Sequence, residues 1–186
     1  MQEYKRVYPL FSLCGLNCGL CPRYHTDGNS KCPGCGGGEF HLKHPACPVI
    51  TCNKKHDNVE YCFQCSLYPC EKYKSESEKD SFITYKNVIV NFDAAKKGGI
   101  EAYQIELNEK VEILEYLIKN YNDGRRKKYY CIAVNLLKLS DLHNIIEMID
   151  DEIKTENIEQ KDKIAQVVSL FEQKAREQKL ELILRK

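Results

Sequence analysis

Two cysteine-rich stretches decide how this chain folds. Residues 14–35 read CGLNCGLCPRYHTDGNSKCPGC, and residues 47–70 read CPVITCNKKHDNVEYCFQCSLYPC. They contain three pairs of cysteines in C-x-x-C spacing, namely Cys18/Cys21, Cys32/Cys35 and Cys62/Cys65. Two thiolates at this spacing can bind one metal ion from one tight turn, and two such pairs complete a tetrahedral site of four sulfurs.

The spacing and the turn residues favour zinc. The first two pairs form C-x2-C-x10-C-x2-C, and the second pair reads CPGCG, in which proline and glycine suit a tight metal-binding turn. We therefore expect about two zinc ions in this segment. The candidate ligands are ten of the eleven cysteines: Cys14, Cys18, Cys21, Cys32, Cys35, Cys47, Cys52, Cys62, Cys65 and Cys70.

The sequence leaves the grouping of these ligands open. The preferred grouping places Cys18, Cys21, Cys32 and Cys35 in one site and Cys47, Cys52, Cys62 and Cys65 in another. Ten thiolates also allow one four-cysteine site beside a two-zinc, six-cysteine cluster, or one zinc beside a [4Fe–4S] cluster. Four histidines of the segment could replace a cysteine, although each is expected to face solvent: His25, His41, His44 and His56. Cys131, outside the segment, is expected to be a buried apolar residue.

An iron–sulfur centre is the main alternative to zinc. Cys14, Cys18 and Cys21 have the C-x3-C-x2-C spacing of radical S-adenosylmethionine enzymes, and residues 37–39 read GGE, like the methionine-binding motif of that class. Those enzymes need a partial barrel of alternating strands and helices, whereas this chain is predicted to be helical after the cysteines. An iron–sulfur cluster therefore stays open as an alternative to zinc, whereas membership of the radical S-adenosylmethionine enzymes is disfavoured.

Composition and charge exclude several partners. The formal net charge of +1 gives no field that would favour nucleic acid, although residues 125–128 form a local basic run. We find no apolar run near the roughly 20 residues that span a bilayer. Nor does the N-terminus have the apolar length of a signal peptide, so we expect a cytoplasmic protein without membrane contact. Clustered cysteines stay reduced there, which disfavours a disulfide framework.

The remainder of the chain is predicted to be helical. We expect a mainly α fold with a small irregular, metal-stapled domain over residues 1–74 and a helical bundle of about five helices over residues 81–186. Apolar spacing places these helices near residues 82–98, 100–121, 125–139, 140–153 and 157–175. Ser140 and Asn157 are the expected N-caps of the last two helices. Residues 71–80 are expected to form a charged linker or a helix end.

The cysteine motifs also resemble a known family. The motif CGLNCGLC (14–21) matches its C-G-L-x-C-x-x-C opening, and CPGC (32–35) matches its C-x-G-C. CPVITC (47–52) and CFQCSLYPC (62–70) match its later motifs, which end in Tyr-Pro-Cys. The family is the prokaryotic "domain of unknown function 3795", and the resemblance covers roughly residues 12–73. It implies a cysteine-rich, metal-binding protein and supports Cys14 and Cys70 as ligands, but it supplies no reaction.

Three classes of function follow from the sequence. The favoured one is a zinc-stapled structural or interaction module that binds another protein, since no phosphate-binding glycine loop, H-E-x-x-H motif or nucleophile elbow is present. The second is an iron–sulfur or thiol enzyme in redox or sulfur chemistry, suggested by the cysteines beyond eight. The third is a nucleic-acid-binding zinc protein, which the balanced charge disfavours. The sequence by itself assigns no catalytic residue.

Overall fold

The fold is mainly α-helical in the computed structural model, which describes residues 4–74 and 79–186. Within these ranges the only pairing of extended backbone is the isolated bridge between Phe11 and Asn17. Eight α-helices lie there: α1 (Phe40–Lys43), α2 (Pro48–Lys55), α3 (Glu71–Lys74), α4 (Val88–Gly98), α5 (Ile100–Tyr121), α6 (Lys127–Leu136), α7 (Leu139–Met148) and α8 (Gln160–Glu177). This confirms the predicted fold class. The part of the predicted linker at residues 75–78 lies outside the described residues.

The helices α4 to α8 are the five that the sequence predicts. The long helix α5 has the predicted bounds, because Gly99 precedes it with φ 91° and Asn122 follows it in extended conformation. Helix α4 begins later than predicted, at Val88, because most of the residues before it line a cavity, namely Ser81, Phe82, Ile83, Tyr85 and Lys86. No membrane-crossing candidate occurs among the helices of the described ranges, as each is too short or too polar.

The predicted N-caps of the last two helices are wrong. Helix α7 starts at Leu139, directly after Lys138 in extended conformation, so Ser140 lies inside its first turn. Helix α8 starts after Glu159, which is also extended, and Asn157 lies before the cap position. In both cases the extended residue that precedes the helix sets its start, and no side chain caps it. A π-helical turn, Ile149–Ile153, follows α7.

Helix α6 is the buried centre of the bundle, as its apolar sequence predicts. Every residue from Tyr130 to Leu136 is buried, and the helix packs against the long helix α5. The ammonium group of Lys110 on α5 donates a 2.8 Å hydrogen bond to the carbonyl oxygen of Leu137, directly after α6. The buried Lys110 therefore binds an otherwise unpaired carbonyl at the end of this helix.

The cysteine-rich segment shares an apolar core with the helices. Phe11 is fully buried, and its ring centroid lies 4.5 Å from that of Tyr103 on α5 and 6.0 Å from that of Phe92 on α4. Tyr103 Oη donates a 2.9 Å hydrogen bond to Asn17 Oδ1, and Asn17 Nδ2 donates a 3.1 Å bond to Asn135 Oδ1 on α6. These buried contacts fix the loop between Cys14 and Cys18 on the bundle.

Gly15 permits the closest approach of this loop to α4. Its φ is +86°, and a Cβ at this position would lie 2.9 Å from the ring of Phe92. Asn91 Nδ2 donates a 2.9 Å hydrogen bond to its carbonyl oxygen. A side chain here would thus be strained and would clash with a buried ring.

Candidate metal centre

Cavity walls divide the ten candidate cysteines into a group of six and a group of four. The larger cavity has a volume of about 750 Å³, and the smaller one of about 30 Å³. The six-cysteine group lines the larger cavity: Cys14, Cys18, Cys21, Cys32, Cys35 and Cys47. The four-cysteine group lines the smaller one: Cys52, Cys62, Cys65 and Cys70.

The electrostatic neighbours of the thiols follow the same division. Burial raises the pKa of Cys18 well above its ordinary value, and four neighbours raise it further, all from the six-cysteine group. Burial also raises the pKa of Cys62 to about 11, and the cysteines that raise it further are Cys70, Cys52 and Cys65. The negative charges of neighbouring thiolates repel one another, so each group needs bound cations before all its thiols can ionise.

This division differs from the preferred sequence grouping at three residues. Cys47 lies with the six instead of the four, and the two cysteines left unassigned there, Cys14 and Cys70, join the six and the four respectively. Cys47 immediately precedes α2, and Cys52 lies within it. Five residues of helix correspond to an offset of about 140° around the axis. The two cysteines therefore face different cavities, although CPVITC looks like a single ligand pair.

Backbone amides point at several of the sulfurs. Burial raises the pKa of Cys21, and hydrogen bonds from the backbone of Arg23 and Tyr24 lower it. Cys14 accepts a bond from the backbone of Leu16, which opposes the burial that raises its pKa to about 12. Donors of this kind stabilise the thiolate, which is the form that binds metal. The surroundings of these sulfurs therefore suit metal-bound thiolates.

Leu13 connects the two groups through its backbone. The thiol of Cys35 accepts a hydrogen bond from the backbone of Leu13, and this bond partly opposes the burial that raises its pKa. The backbone N–H of Cys62 donates a 2.9 Å bond to the carbonyl oxygen of Leu13. One buried residue thus positions a ligand candidate of each group.

Arg6 is a functional candidate that the sequence analysis missed. Its guanidinium is buried, donates to Glu60 Oε1 at 3.0 Å and to the carbonyl oxygen of Phe11 at 2.8 Å, and lies 4.6 Å from the ring centroid of Tyr61. Burial raises the pKa of the Cys35 thiol, and the positive charge of Arg6 lowers it. Arg6 lies far from Cys35 in the sequence, so the sequence alone gives no sign of this contact.

Ser12 and Tyr73 are two further contacts of the thiols. Ser12 Oγ accepts a 2.8 Å bond from the backbone N–H of Leu16 and lies 3.2 Å from Cys14 Sγ, a contact in which either atom can donate while the thiol is protonated and the hydroxyl donates to a thiolate. Tyr73 lines both cavities, and its hydroxyl contacts the thiol of Cys62. Tyr73 lies on α3, just after the last cysteine of the segment, and nothing in the sequence marks it as a contact of the thiols.

Side-chain hydrogen bonds hold the loop between the last cysteines. Asn53 Nδ2 donates to the carbonyl oxygen of Val59 at 3.0 Å, and the N–H of Val59 donates back to Asn53 Oδ1 at 3.0 Å. The N–H of Ser66 donates to Asp57 Oδ2 at 2.7 Å. This loop returns the chain from α2 to the turn of Cys62 and Cys65, so that Cys52 shares one cavity with these two cysteines.

The histidines divide into two exposed and two half-buried side chains. His41 and His56 are exposed, as predicted. His25 is half-buried, and its Nε2 lies 2.7 Å from the carbonyl oxygen of Gly19. Burial lowers the pKa of His25, although this contact raises it. His44 is half-buried as well, stacks on Phe40 and lines the larger cavity.

All eleven cysteines are free thiols. Cys131 is buried in α6 with 2% of its surface exposed, as the sequence predicts, and burial raises its pKa to about 12. Among residues 4–74 and 79–186, no three His, Cys, Asp or Glu side chains stand in an arrangement that could hold a metal ion. The thiols of each group share a cavity without converging on one point, although their type, grouping and hydrogen bonds fit metal-bound thiolates.

Comparison with known families confirms the resemblance drawn from the cysteine motifs. Residues 10–75 match the family described as "Protein of unknown function (DUF3795)". The matched range contains both cysteine groups and ends just after α3. No curated protein and no solved structure matches the chain.

Proposed function

We propose that the chain is a cysteine-ligated metal protein with two separate centres. The observation that supports this most is the division of ten thiols into six and four by two cavities. A metal-free role gives no reason for so many buried and half-buried thiols to gather in two places. Metal binding gives one, because cations remove the repulsion between neighbouring thiolates.

The two groups suit different centres. Four cysteines around a cavity of about 30 Å³ match one tetrahedral zinc ion in a closed structural site. Six cysteines suit a two-zinc cluster with shared thiolates, while a [4Fe–4S] cluster would use four and leave two over. Zinc in both centres is the favoured assignment, since the paired turns and the amide donors are those of structural zinc sites.

The favoured cellular role is that of a metal-stapled interaction module. Apart from α1, α2 and three single-turn 3-10 helices, the segment between Cys14 and Cys70 consists of turns and loops. Metals bound in both cavities would connect its loops to one another and fix the surface that it presents. The most plausible partner class is another protein, because the formal net charge of +1 gives nucleic acid no broad electrostatic attraction.

A second candidate is a redox or sulfur-handling enzyme. The observation in its favour is the volume of the larger cavity, about 750 Å³, which exceeds the needs of a purely structural site. In this role the six-cysteine group holds an iron–sulfur cluster, or keeps a reactive thiolate next to its metals. A brown protein with visible absorption after anaerobic purification would favour this candidate, and a colourless, zinc-loaded protein would favour the first.

Single cysteine variants test the two-centre proposal. Protein purified anaerobically is analysed for zinc and iron in the wild type, Cys65→Ser, Cys32→Ser and Cys131→Ala. We expect Cys65→Ser to lose one zinc ion only, Cys32→Ser to lose metal of the other centre, and the Cys131→Ala control to keep the wild-type content. A wild type without metal, or the same loss in both serine variants, would contradict the proposal.

A further inference from the structure

We propose that the larger cavity binds a small amphipathic anion, with an apolar body and a carboxylate or phosphate head group. This goes beyond metal binding, because the residues that carry it are cavity residues other than the thiols. They comprise an apolar rim and a set of cationic side chains.

The volume of the cavity suits an organic ligand. Small-molecule sites in proteins commonly occupy about 300–1,000 Å³, and this cavity measures about 750 Å³. A water molecule takes a share of about 30 Å³, and metal ions at the thiols would need volumes of that order. Most of the cavity therefore stays open when both metal centres are filled.

The mouth of the cavity is apolar and exposed. Three of its lining residues, Phe82, Ile89 and Val90, are large apolar side chains with 56%, 41% and 63% of their surface exposed. Ile83 and Val88, which are buried, continue the apolar wall. An apolar body that entered here would cover surface that is now in water, which stabilises the complex.

Among residues 4–74 and 79–186, the charged side chains of the wall are all basic. They are Arg23, Lys72, Lys86 and Arg185. Asp80, outside the lining, pairs with Arg185 at 3.1 Å. Arg23, Lys72 and Lys86 lie outside this ion pair. Their three positive charges outnumber the net charge of about −2 that six thiolates with two zinc ions carry, so these side chains favour an anionic head group.

Two of these cations keep hydrogen-bonding capacity. The guanidinium of Arg23 lies 5.1 Å from the ring centroid of Phe82 and donates from Nη2 to the carbonyl oxygen of Lys43 at 3.2 Å. Its Nε is buried without a hydrogen-bond partner. Lys86 Nζ donates one long bond, 3.4 Å, to the carbonyl oxygen of Glu181, so further donors remain for a ligand oxygen.

Displacement of a fluorescent anion tests the proposal on the full-length, metal-loaded protein. The probe is 8-anilinonaphthalene-1-sulfonate, and the competitors are decanoate, decyl phosphate and decanol below their micelle concentrations. We expect one probe per chain, displaced by decanoate or decyl phosphate at concentrations at least tenfold lower than by decanol. The anion that displaces the probe at the lower concentration then identifies the head group. Equal displacement by decanol and both anions, or no displacement, would overturn the proposal.

Matched lysine variants locate the head group. Lys86→Met keeps the length of the side chain and removes the cation, and Lys97→Met does the same at an exposed residue of α4 outside the cavity. We expect Lys86→Met to weaken binding of the anion at least fivefold without affecting binding of decanol. We expect Lys97→Met to bind both as the wild type does. Equal effects of both variants would overturn the proposal. Metal content, measured on the same samples, reports separately on the two-centre proposal.

Discussion

At the scale of single residues, buried polar side chains fix the cysteine loops on the helices. Asn17 is the central one, because it bonds to Tyr103 on α5 and to Asn135 on α6 while only 2% of its surface is exposed. Its position inside CGLNC suggested a variable residue between two ligands. The structure instead makes it the contact between the first cysteine turn and the bundle.

Replacement of Asn17 by alanine should destabilise the protein. Asn17→Ala leaves the hydroxyl of Tyr103 and the amide oxygen of Asn135 buried without these partners, which costs about 1–3 kcal/mol of unfolding free energy. Urea denaturation followed by circular dichroism measures the effect, with Asn29→Ala at an exposed turn as the control. A loss no larger than that of the control would contradict the assigned role of Asn17.

The pairing of Asp80 with Arg185 makes a pH-dependent contribution to stability. Burial raises the pKa of Asp80, but the backbone N–H groups of Tyr85 and Arg185 and the guanidinium of Arg185 outweigh it, so the pKa is lowered. The N–H of Arg185 donates to Asp80 Oδ2 at 2.9 Å, and that of Tyr85 donates to Oδ1 at 2.9 Å. These bonds hold the C-terminal end of the chain beside the larger cavity.

The stability difference between wild type and Asp80→Asn should shrink in acid. Because the folded pKa is lowered, the contribution is present above the ordinary pKa of about 4 and is lost as the pH falls through the folded value. We expect the variant to lose about 1–3 kcal/mol at pH 7 and less at pH 3. Urea denaturation at both pH values measures this, and an equal or larger loss at pH 3 would refute the assignment.

At the scale of elements, α4 is the joint between the cysteine-rich segment and the helices. Phe92 is fully buried and its ring contacts four aromatic rings of the segment or of α3: Phe11, Phe63, Tyr68 and Tyr73. All four of these rings lie within three residues of a candidate ligand. The packing of α4 therefore positions both cysteine groups.

Truncation of Phe92 should therefore cost much more than truncation of an exposed neighbour. We expect Phe92→Ala to lose about 3–5 kcal/mol, as is usual for a buried aromatic residue. Val90→Ala on the same helix, exposed in its side chain, should lose much less. Thermal and urea denaturation compare them, and similar losses would show that α4 is not such a joint.

Elements with local signals were predictable, and those set by distant contacts were not. Helix α5 could be predicted because glycine and Asn-Asp-Gly flank a continuous apolar stripe. The start of α4 could not, since the apolar Phe82 and Ile83 line a cavity instead of extending the helix. The ten candidate ligands were evident from spacing, whereas their division depends on the direction in which α2 turns Cys47 and Cys52. The contacts of Arg6 depend on the complete fold.

At the scale of the whole molecule, one apolar core contains residues of both parts of the chain. Phe11, Leu20 and Tyr61 from the cysteine-rich segment belong to the same buried cluster as the central residues of α5 and α6. The division into residues 1–74 and 81–186 stays a prediction. The shared core indicates that the two parts influence the stability of each other.

Metal removal should loosen the cysteine-rich segment and leave the bundle folded. The loops of this segment have little regular structure, whereas α5 and α6 bury apolar surface against each other. We expect amide hydrogen exchange over residues 12–73 to accelerate strongly after chelation, while α5 and α6 stay protected. Unchanged protection of the segment in metal-free protein would contradict the stapling role.

Native mass spectrometry of the anaerobically purified wild type tests the central claim most directly, because it measures bound metal and lost thiol protons together. We predict a mass that contains at least two metal ions, zinc in the favoured assignment, with the ten cysteines reduced and deprotonated at their metals. A mass that shows these cysteines joined as disulfides, with no ion bound, would contradict the account.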